Sequence, residues 1–172
     1  MSSSLPRPRR FVTGNDSTGL SRFTMTTPET PPQTDLRGMQ VSFCFATTQF
    51  PVSFDRDWDL REYQRLVDDP PGIVVPNGTV FRMVDFPPGY TSPMHQTISI
   101  NYNVVVEGQL EVVLDSGESR ILNRGDSIVQ RAINHAWRNT SDTAWARLAA
   151  FAAPAADDSG RDRDAKPREA GL

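Results

Sequence analysis

The stretch Gly89–Gly108 reads GYTSPMHQTISINYNVVVEG and carries His95, one of two histidines in the 172-residue chain; the other is His135, in QRAINHAWRN. From Thr97 onward Thr97, Ser99, Asn101 and Asn103 fall on one parity, with His95 just ahead of them. Ile98, Ile100, Tyr102, Val104 and Val106 fall on the other. Side chains alternate across a strand, so this pattern predicts a strand with one polar and one apolar face. Periodicity leaves open whether the polar row meets water or lines a cavity. Composition favours the cavity, because exposed strand faces carry Thr, Lys and Glu, whereas asparagine is depleted from strands unless its amide is used.

Outward from this stretch the chain keeps the same grammar. Thr79–Phe86 runs into Pro87-Pro88-Gly89, Ile98–Val106 into Glu107-Gly108, Gln109–Leu114 into Asp115-Ser116-Gly117, and Glu118–Leu122 into Asn123-Arg124-Gly125-Asp126. Ser127–Arg131, His135–Arg138 and Ala144–Phe151 complete the series. Short strands closely spaced by turn signals, without βαβ spacing, predict a single antiparallel barrel of six to eight strands. Earlier in the chain, Arg10–Thr13 reads as a short strand stopped by Gly14-Asn15-Asp16, and Met39–Thr47 as a buried one. Between them the Thr- and Pro-rich segment from Ser21 to Arg37 reads as extended surface chain. Ser53–Asp69 breaks the β pattern. Leu60, Tyr63, Leu66 and Val67 share a helical face there, with Ser53 or Asp55 as the cap and Asp69-Pro70-Pro71-Gly72 as the stop. Residues 1–8 and 154–172 read as disordered tails around a domain spanning 9–153.

At 37% hydrophobic residues, one sizeable core is affordable and a second domain is not expected. A net charge of -3 and a pI near 5.4, with no basic stripe, argue against nucleic acid as the main partner. The single cysteine, Cys44, lies in VSFCFA and reads as a small core residue; no apolar run resembles a signal peptide or a membrane span, which predicts a cytoplasmic protein. The sequons at Asn15, Asn77 and Asn139 then read as chance. Sheet edges left by a small barrel favour a homodimer, with the strands around Val12 or Val41 pairing across a two-fold.

The order of turns and histidines resembles the cupin superfamily over roughly residues 79–151. Gly89, His95, Thr97, Asn101 and Gly108 stand at the positions of that family's first motif, G, five residues, H-x-H, three or four residues, E, six residues, G. Gly125-Asp126, His135 and Asn139 answer to the second motif, one residue short between Gly125 and His135. More narrowly, the chain resembles single-domain cupins encoded beside fungal polyketide synthases, several of them labelled oxidoreductases. The resemblance implies a jelly-roll β-barrel with a site inside it and, in this chain, one short helix in an N-terminal insertion. The chain departs from that group at HQT in place of HRT, at Asn101 in place of an acidic residue, and at QRA in place of QRG.

Those departures bear on the chemistry. A metal-binding cupin supplies three imidazoles and a carboxylate; here Thr97 and Asn101 stand in two of those places, which leaves His95 and His135. Two imidazoles hold a divalent ion poorly, since catalytic zinc takes three protein ligands and non-haem iron two histidines plus a carboxylate. The expectation is no cofactor, with a loosely held Fe, Zn or Mn ion on His95 and His135 as the alternative and Asp85 or Glu111 as candidate carboxylates to complete it. With reference pKa values near 6.5, one histidine can take a proton while the other gives one. Asn101, Asn103 and Thr97 are then candidates to hold a carbonyl oxygen as charge develops. Arg131 is a candidate for a substrate carboxylate or phenolate, or a surface residue paired with Asp126. Trp137 is a candidate to stack on a planar small-molecule substrate, or a core aromatic. Three functions follow: a metal-independent lyase or isomerase acting on a polyketide-type intermediate, a metal-dependent oxidoreductase, and a non-catalytic binding cupin.

Overall fold

The structure is a computed structural model that describes residues 3–156. Among these lie twelve strands and one α-helix. The strands are β1 (Thr13–Asn15), β2 (Ser21–Phe23), β3 (Gln33–Leu36), β4 (Met39–Ala46), β5 (Val80–Phe86), β6 (His95–Gln96), β7 (Ser99–Glu107), β8 (Gln109–Leu114), β9 (Ser119–Asn123), β10 (Ser127–Arg131), β11 (Asn134–Asn139) and β12 (Ala146–Pro154). The helix α1 (Trp58–Asp68) lies between β4 and β5. A six-stranded sheet, in the order β10-β7-β12-β5-β4-β3, faces a four-stranded sheet, β6-β11-β8-β9; β1 and β2 form a separate ribbon. Every pairing is antiparallel. This is the all-β, one-helix jelly-roll barrel that the turn pattern predicts.

The strand count exceeds the expected six to eight, because the N-terminal third adds strands that composition hides. β2 and β3 both fall in the Thr- and Pro-rich segment read as extended surface chain without paired strands, and β1 starts at Thr13, beside the Gly14-Asn15-Asp16 turn signal. These strands are short and mostly exposed, so no buried face gives them a period to read. β4 pairs with β3 on one side and β5 on the other, so its edge at Val41 is closed to pairing with a second copy. Of the stretch 1–8, the described residues run beside the domain, and Arg7 donates to the Pro31 carbonyl at 3.0 Å. The expectation of disorder for 157–172 lies outside the described residues.

Two packed clusters hold the layers together. Between the sheets lie Phe86, Val105, Leu110, Val112, Leu122, Trp137, Ala146 and Leu148, contributed by strands of both. The second cluster seats α1: Tyr63 and Leu66 are its buried residues and pack with Phe43, Ala46, Val75, Val80 and Ala152. Tyr63 stacks on Phe45 and donates its hydroxyl proton to the Phe43 carbonyl at 2.7 Å, which satisfies the polar end of a fully buried ring. The helix lacks the side-chain cap expected at Ser53 or Asp55. A 3-10 turn, Asp55–Asp57, leads into it instead, and Asp57 precedes the first turn with φ of 56°. Past the helix the chain returns through Pro70, Pro71, Gly72 and Ile73, which close one side of the barrel. Gly78 then passes so close to β4's end that a Cβ there would sit 1.7 Å from the Thr47 carbonyl oxygen.

Candidate functional site

The inward parity of three neighbouring strands builds the site. β7 sends Asn101 and Asn103 into the barrel, β12 sends Leu148, Ala150 and Ala152, and β5 sends Val80, Arg82, Val84 and Phe86. These line a cavity of about 520 Å³, closed from the other sheet by His95, His135 and Trp137. The polar row of the opening stretch therefore faces inward, and its apolar counterpart faces out: Tyr102, expected to pack in an outer layer, is 53% exposed.

The two histidines meet because their strands pair. His95 on β6 and His135 on β11 are direct cross-strand partners, which places both side chains on one face with ring centroids 4.5 Å apart. Each Nδ1 lies against a backbone carbonyl, that of His95 at 3.1 Å from Pro93 O and that of His135 at 3.2 Å from Ile133 O. A carbonyl only accepts, so in both neutral rings the proton sits on Nδ1 and Nε2 carries the lone pair. His135 is buried, and burial, reinforced by the nearby His95 and opposed by its bond to Ile133, pushes its pKa down to about 4. The expectation of two groups titrating together near 6.5 is thus corrected for His135: desolvation keeps it neutral at ordinary pH, as a base with a free Nε2.

Beside the imidazoles lies a wall of unsatisfied polar atoms. Asn103 Nδ2 donates to Gln130 Oε1 at 2.7 Å, which leaves Asn103 Oδ1 and Gln130 Nε2 without partners, although the residues are 3% and 2% exposed. If both amides were turned over, one N–H and one carbonyl would still be left. Thr97 Oγ1 is likewise buried and unpartnered. Each such atom costs about 1–3 kcal/mol in a folded protein. Three together on one cavity wall suit a bound polar molecule. Asn101 is held by Ser99, whose hydroxyl donates to its Oδ1 at 2.7 Å, so its Nδ2 protons are not used by that bond.

Trp137 is both core and lining, 5% exposed and edge-on to His135 at 6.3 Å. Arg131 is the one predicted site residue that the structure removes. In the β10–β7 register Gln130 faces Asn101 and Arg131 faces Ile100, so Gln130 points inward and Arg131 is exposed on the outer face. Its alternative partner Asp126 instead accepts from the Asn123 backbone N–H at 2.8 Å. Gln130 was legible one position away, since Ile128 and Gln130 share a parity. Arg82 was also missed, although it interrupts an apolar parity in TVFRMVDF.

No cluster of three or more His, Cys, Asp or Glu side chains with metal-holding geometry occurs among the described residues. Neither candidate carboxylate reaches the histidines. Asp85 is buried in a bidentate pair with Arg147, at 2.5 and 2.7 Å, and Glu111 pairs with Arg138 at 2.5 Å. Two imidazoles flanked by neutral Thr97 and an Asn101 carbonyl already bonded to Ser99 do not fit the donor set of a zinc or non-haem iron centre.

An antiparallel jelly roll with paired histidines on its inner wall defines a cupin-type barrel. The chain belongs to the cupin superfamily: the cupin-domain profile matches residues 82–151. Over 145 residues the chain is 47% identical to phomopsin biosynthesis cluster protein D of Diaporthe leptostromiformis, covering 84% of this chain and 77% of that one. It is 39% identical to oryzines biosynthesis cluster protein J of Aspergillus oryzae, with 83% and 80% covered. It is also 41% identical over 138 residues to the cupin-domain-containing oxidoreductase fogC of Aspergillus ruber, with 80% and 66% covered. In structure it matches the cupin domain of Schizosaccharomyces pombe Cnp3 with a TM-score of 0.53 over 87% of this chain and 89% of that one, at 10% identity, a likeness of fold alone. No helix among the described residues is long and apolar enough to cross a membrane.

Proposed function

We propose that this chain is a small-molecule enzyme of secondary, polyketide-type metabolism that moves a proton on a carbonyl compound without a metal. The relatives named for phomopsin and oryzines biosynthesis support a secondary-metabolic setting, and its polyketide type rests on the resemblance of the sequence. The observation that carries the chemistry is a neutral, buried His135 facing the unpartnered polar atoms of Thr97, Asn103 and Gln130. In the step, His135 Nε2 takes the proton from the carbon beside the carbonyl. The electron pair moves onto the carbonyl oxygen, which meets donors from Gln130, Thr97 and Asn101. The imidazolium so formed is a strong acid in its dry site. It returns the proton to a second carbon, which completes an isomerisation, or to a departing hydroxyl, which completes a dehydration. No oxidant is needed. A base whose proton affinity is this low suits a carbon acid already activated, for instance one lying between two carbonyls. Half-buried His95 is the partner through which protons exchange with water.

The oxidoreductase names of several relatives favour a second reading, metal-dependent oxidation in the same cavity. One experiment separates the two. The neutral β-keto ester ethyl 3-oxo-5-phenylpentanoate is incubated with the protein in D2O containing a chelator, and deuterium incorporation at the carbon between its two carbonyls is followed by NMR. Proton transfer predicts exchange above the buffer rate that is lost in His135→Gln. Exchange at the buffer rate, or exchange that returns only with one added ion, would overturn it.

A further inference from the structure

The cavity wall is charged with one sign. Its lining includes two guanidinium groups, Arg37 from the β3–β4 turn and Arg82 from β5, and no aspartate or glutamate, in a chain whose net charge is -3. Arg82 points inward between Val80 and Val84, and no described carboxylate lies within ion-pair distance of it. Arg147, a largely buried strand arginine on the opposite face of the sheet, shows what the fold does with a structural cation: it is matched bidentately by buried Asp85. Arg82 has no such match. Its Nη1 and Nη2 donate to the backbone carbonyls of Ile73 and Gly72 at 2.7 and 2.6 Å, and its guanidinium lies 5.6 Å from the centre of the Phe43 ring. A guanidinium has five N–H donors in a fixed fork. Two are used, so three are left over in an apolar wall. Burial pushes the pKa only to about 10, which leaves the charge in place at neutral pH.

Resting on the proton-transfer reading of the same cavity, we propose that Arg82 anchors a carboxylate group of the substrate, so that the substrate class is a carbonyl-bearing carboxylic acid. The sheet register gives its length. Arg82 pairs across β5–β12 with Ala150, and Ala150 pairs across β12–β7 with Asn103. Two strand spacings put the backbones of Arg82 and Asn103 about 10 Å apart. Directly between them β12 presents Ala150, with Ala152 two residues along, methyl groups that leave an open trough. A molecule laid across those alanines meets Arg82 with its carboxylate and the Asn103, Gln130 and His135 group with its carbonyl. The carboxylate accepts from the remaining guanidinium N–H groups, a charge-assisted and directional contact. The carbonyl bonds of Gly72 and Ile73 give Arg82 a second duty, because they tie the chain after α1 to the barrel and so fix the fork before any ligand arrives.

The test compares 4-phenylbutanoate with its neutral isostere 4-phenylbutanamide by calorimetric titration at pH 7. The wild-type chain is expected to bind the acid at least tenfold more tightly than the amide. Arg82→Gln should erase that preference, whereas Arg37→Gln and His135→Gln should retain it. If the wild type shows no preference, or Arg82→Gln keeps it, or Arg37→Gln alone removes it, the proposal is overturned. Should Arg82→Gln fail to fold, the wild-type Arg82 Nε resonance decides: it must shift with the acid and not with the amide, and an unmoved resonance refutes the anchor. The two readings fail separately. A retained acid preference without ketone exchange sinks the acid–base chemistry and leaves the anchor, and the reverse result does the opposite.

Discussion

Lowering the pH from 7 to 4.5 tests the burial of His135 directly. Its pKa is about 4 in the folded chain against the reference 6.5, so the folded state resists a proton that the unfolded chain accepts. The stabilisation of the neutral form is fully present above 6.5 and is lost as pH falls from 6.5 toward 4. A difference of about 2.5 units at 1.36 kcal/mol each gives roughly 3 kcal/mol over the whole window, of which about 2 kcal/mol is spent by pH 4.5. Carboxylates titrate in the same range, so a single pH series is not diagnostic. The contrast with His135→Gln is, because Gln has a similar reach and does not titrate. Urea unfolding of both proteins at pH 7 and pH 4.5 should show the wild type losing about 2 kcal/mol more than the variant. Parallel losses would refute the account, because they would mean that His135 takes its proton in the folded state as easily as in water.

Other outcomes follow from the same geometry. The acid limb of the ketone-exchange rate should fall near pH 4, where His135 charges, so a limb governed by His135 near 6.5 would contradict its burial. Replacing Asp85 with Asn should cost about 3–5 kcal/mol in denaturant unfolding, because it leaves Arg147 buried without its counter-ion. A change within 0.5 kcal/mol would show the pair to be solvated. Gly78→Ala should destabilise the fold by about 1–3 kcal/mol or more, since Gly78 is buried and its methyl would collide with the Thr47 carbonyl, so that backbone must move. A melting point equal to the wild type would refute that collision.

How much of this was readable beforehand depended on whether a residue's role is written in its own strand. The alternation from Thr97 to Val106 predicted the strand, and the asparagines on its polar parity, a residue type otherwise depleted from strands, pointed to an inward polar face. The pairing of His95 with His135 rested on family-like spacing, and the cross-strand register then made them neighbours. Arg131 failed for a reason of parity: one step along β10 exchanges the cavity for solvent, and a charged side chain attracted attention that belonged to neutral Gln130. Arg82 and the chain after α1 line the cavity from elements far from the histidines, and nothing local announces that meeting. β2 and β3 escaped because short exposed strands have no apolar period.

The central claim, proton transfer by neutral residues, is tested most directly by restoring the missing carboxylate. Asn101→Glu is measured for deuterium exchange into ethyl 3-oxo-5-phenylpentanoate, in chelator and again with zinc, manganese or ferrous iron added. A carboxylate there repels the developing oxyanion and raises the affinity of His135 for a proton. Exchange should therefore fall well below wild type with every ion and without any. A rise in activity that depends on one particular ion would contradict it and return the site to metal chemistry.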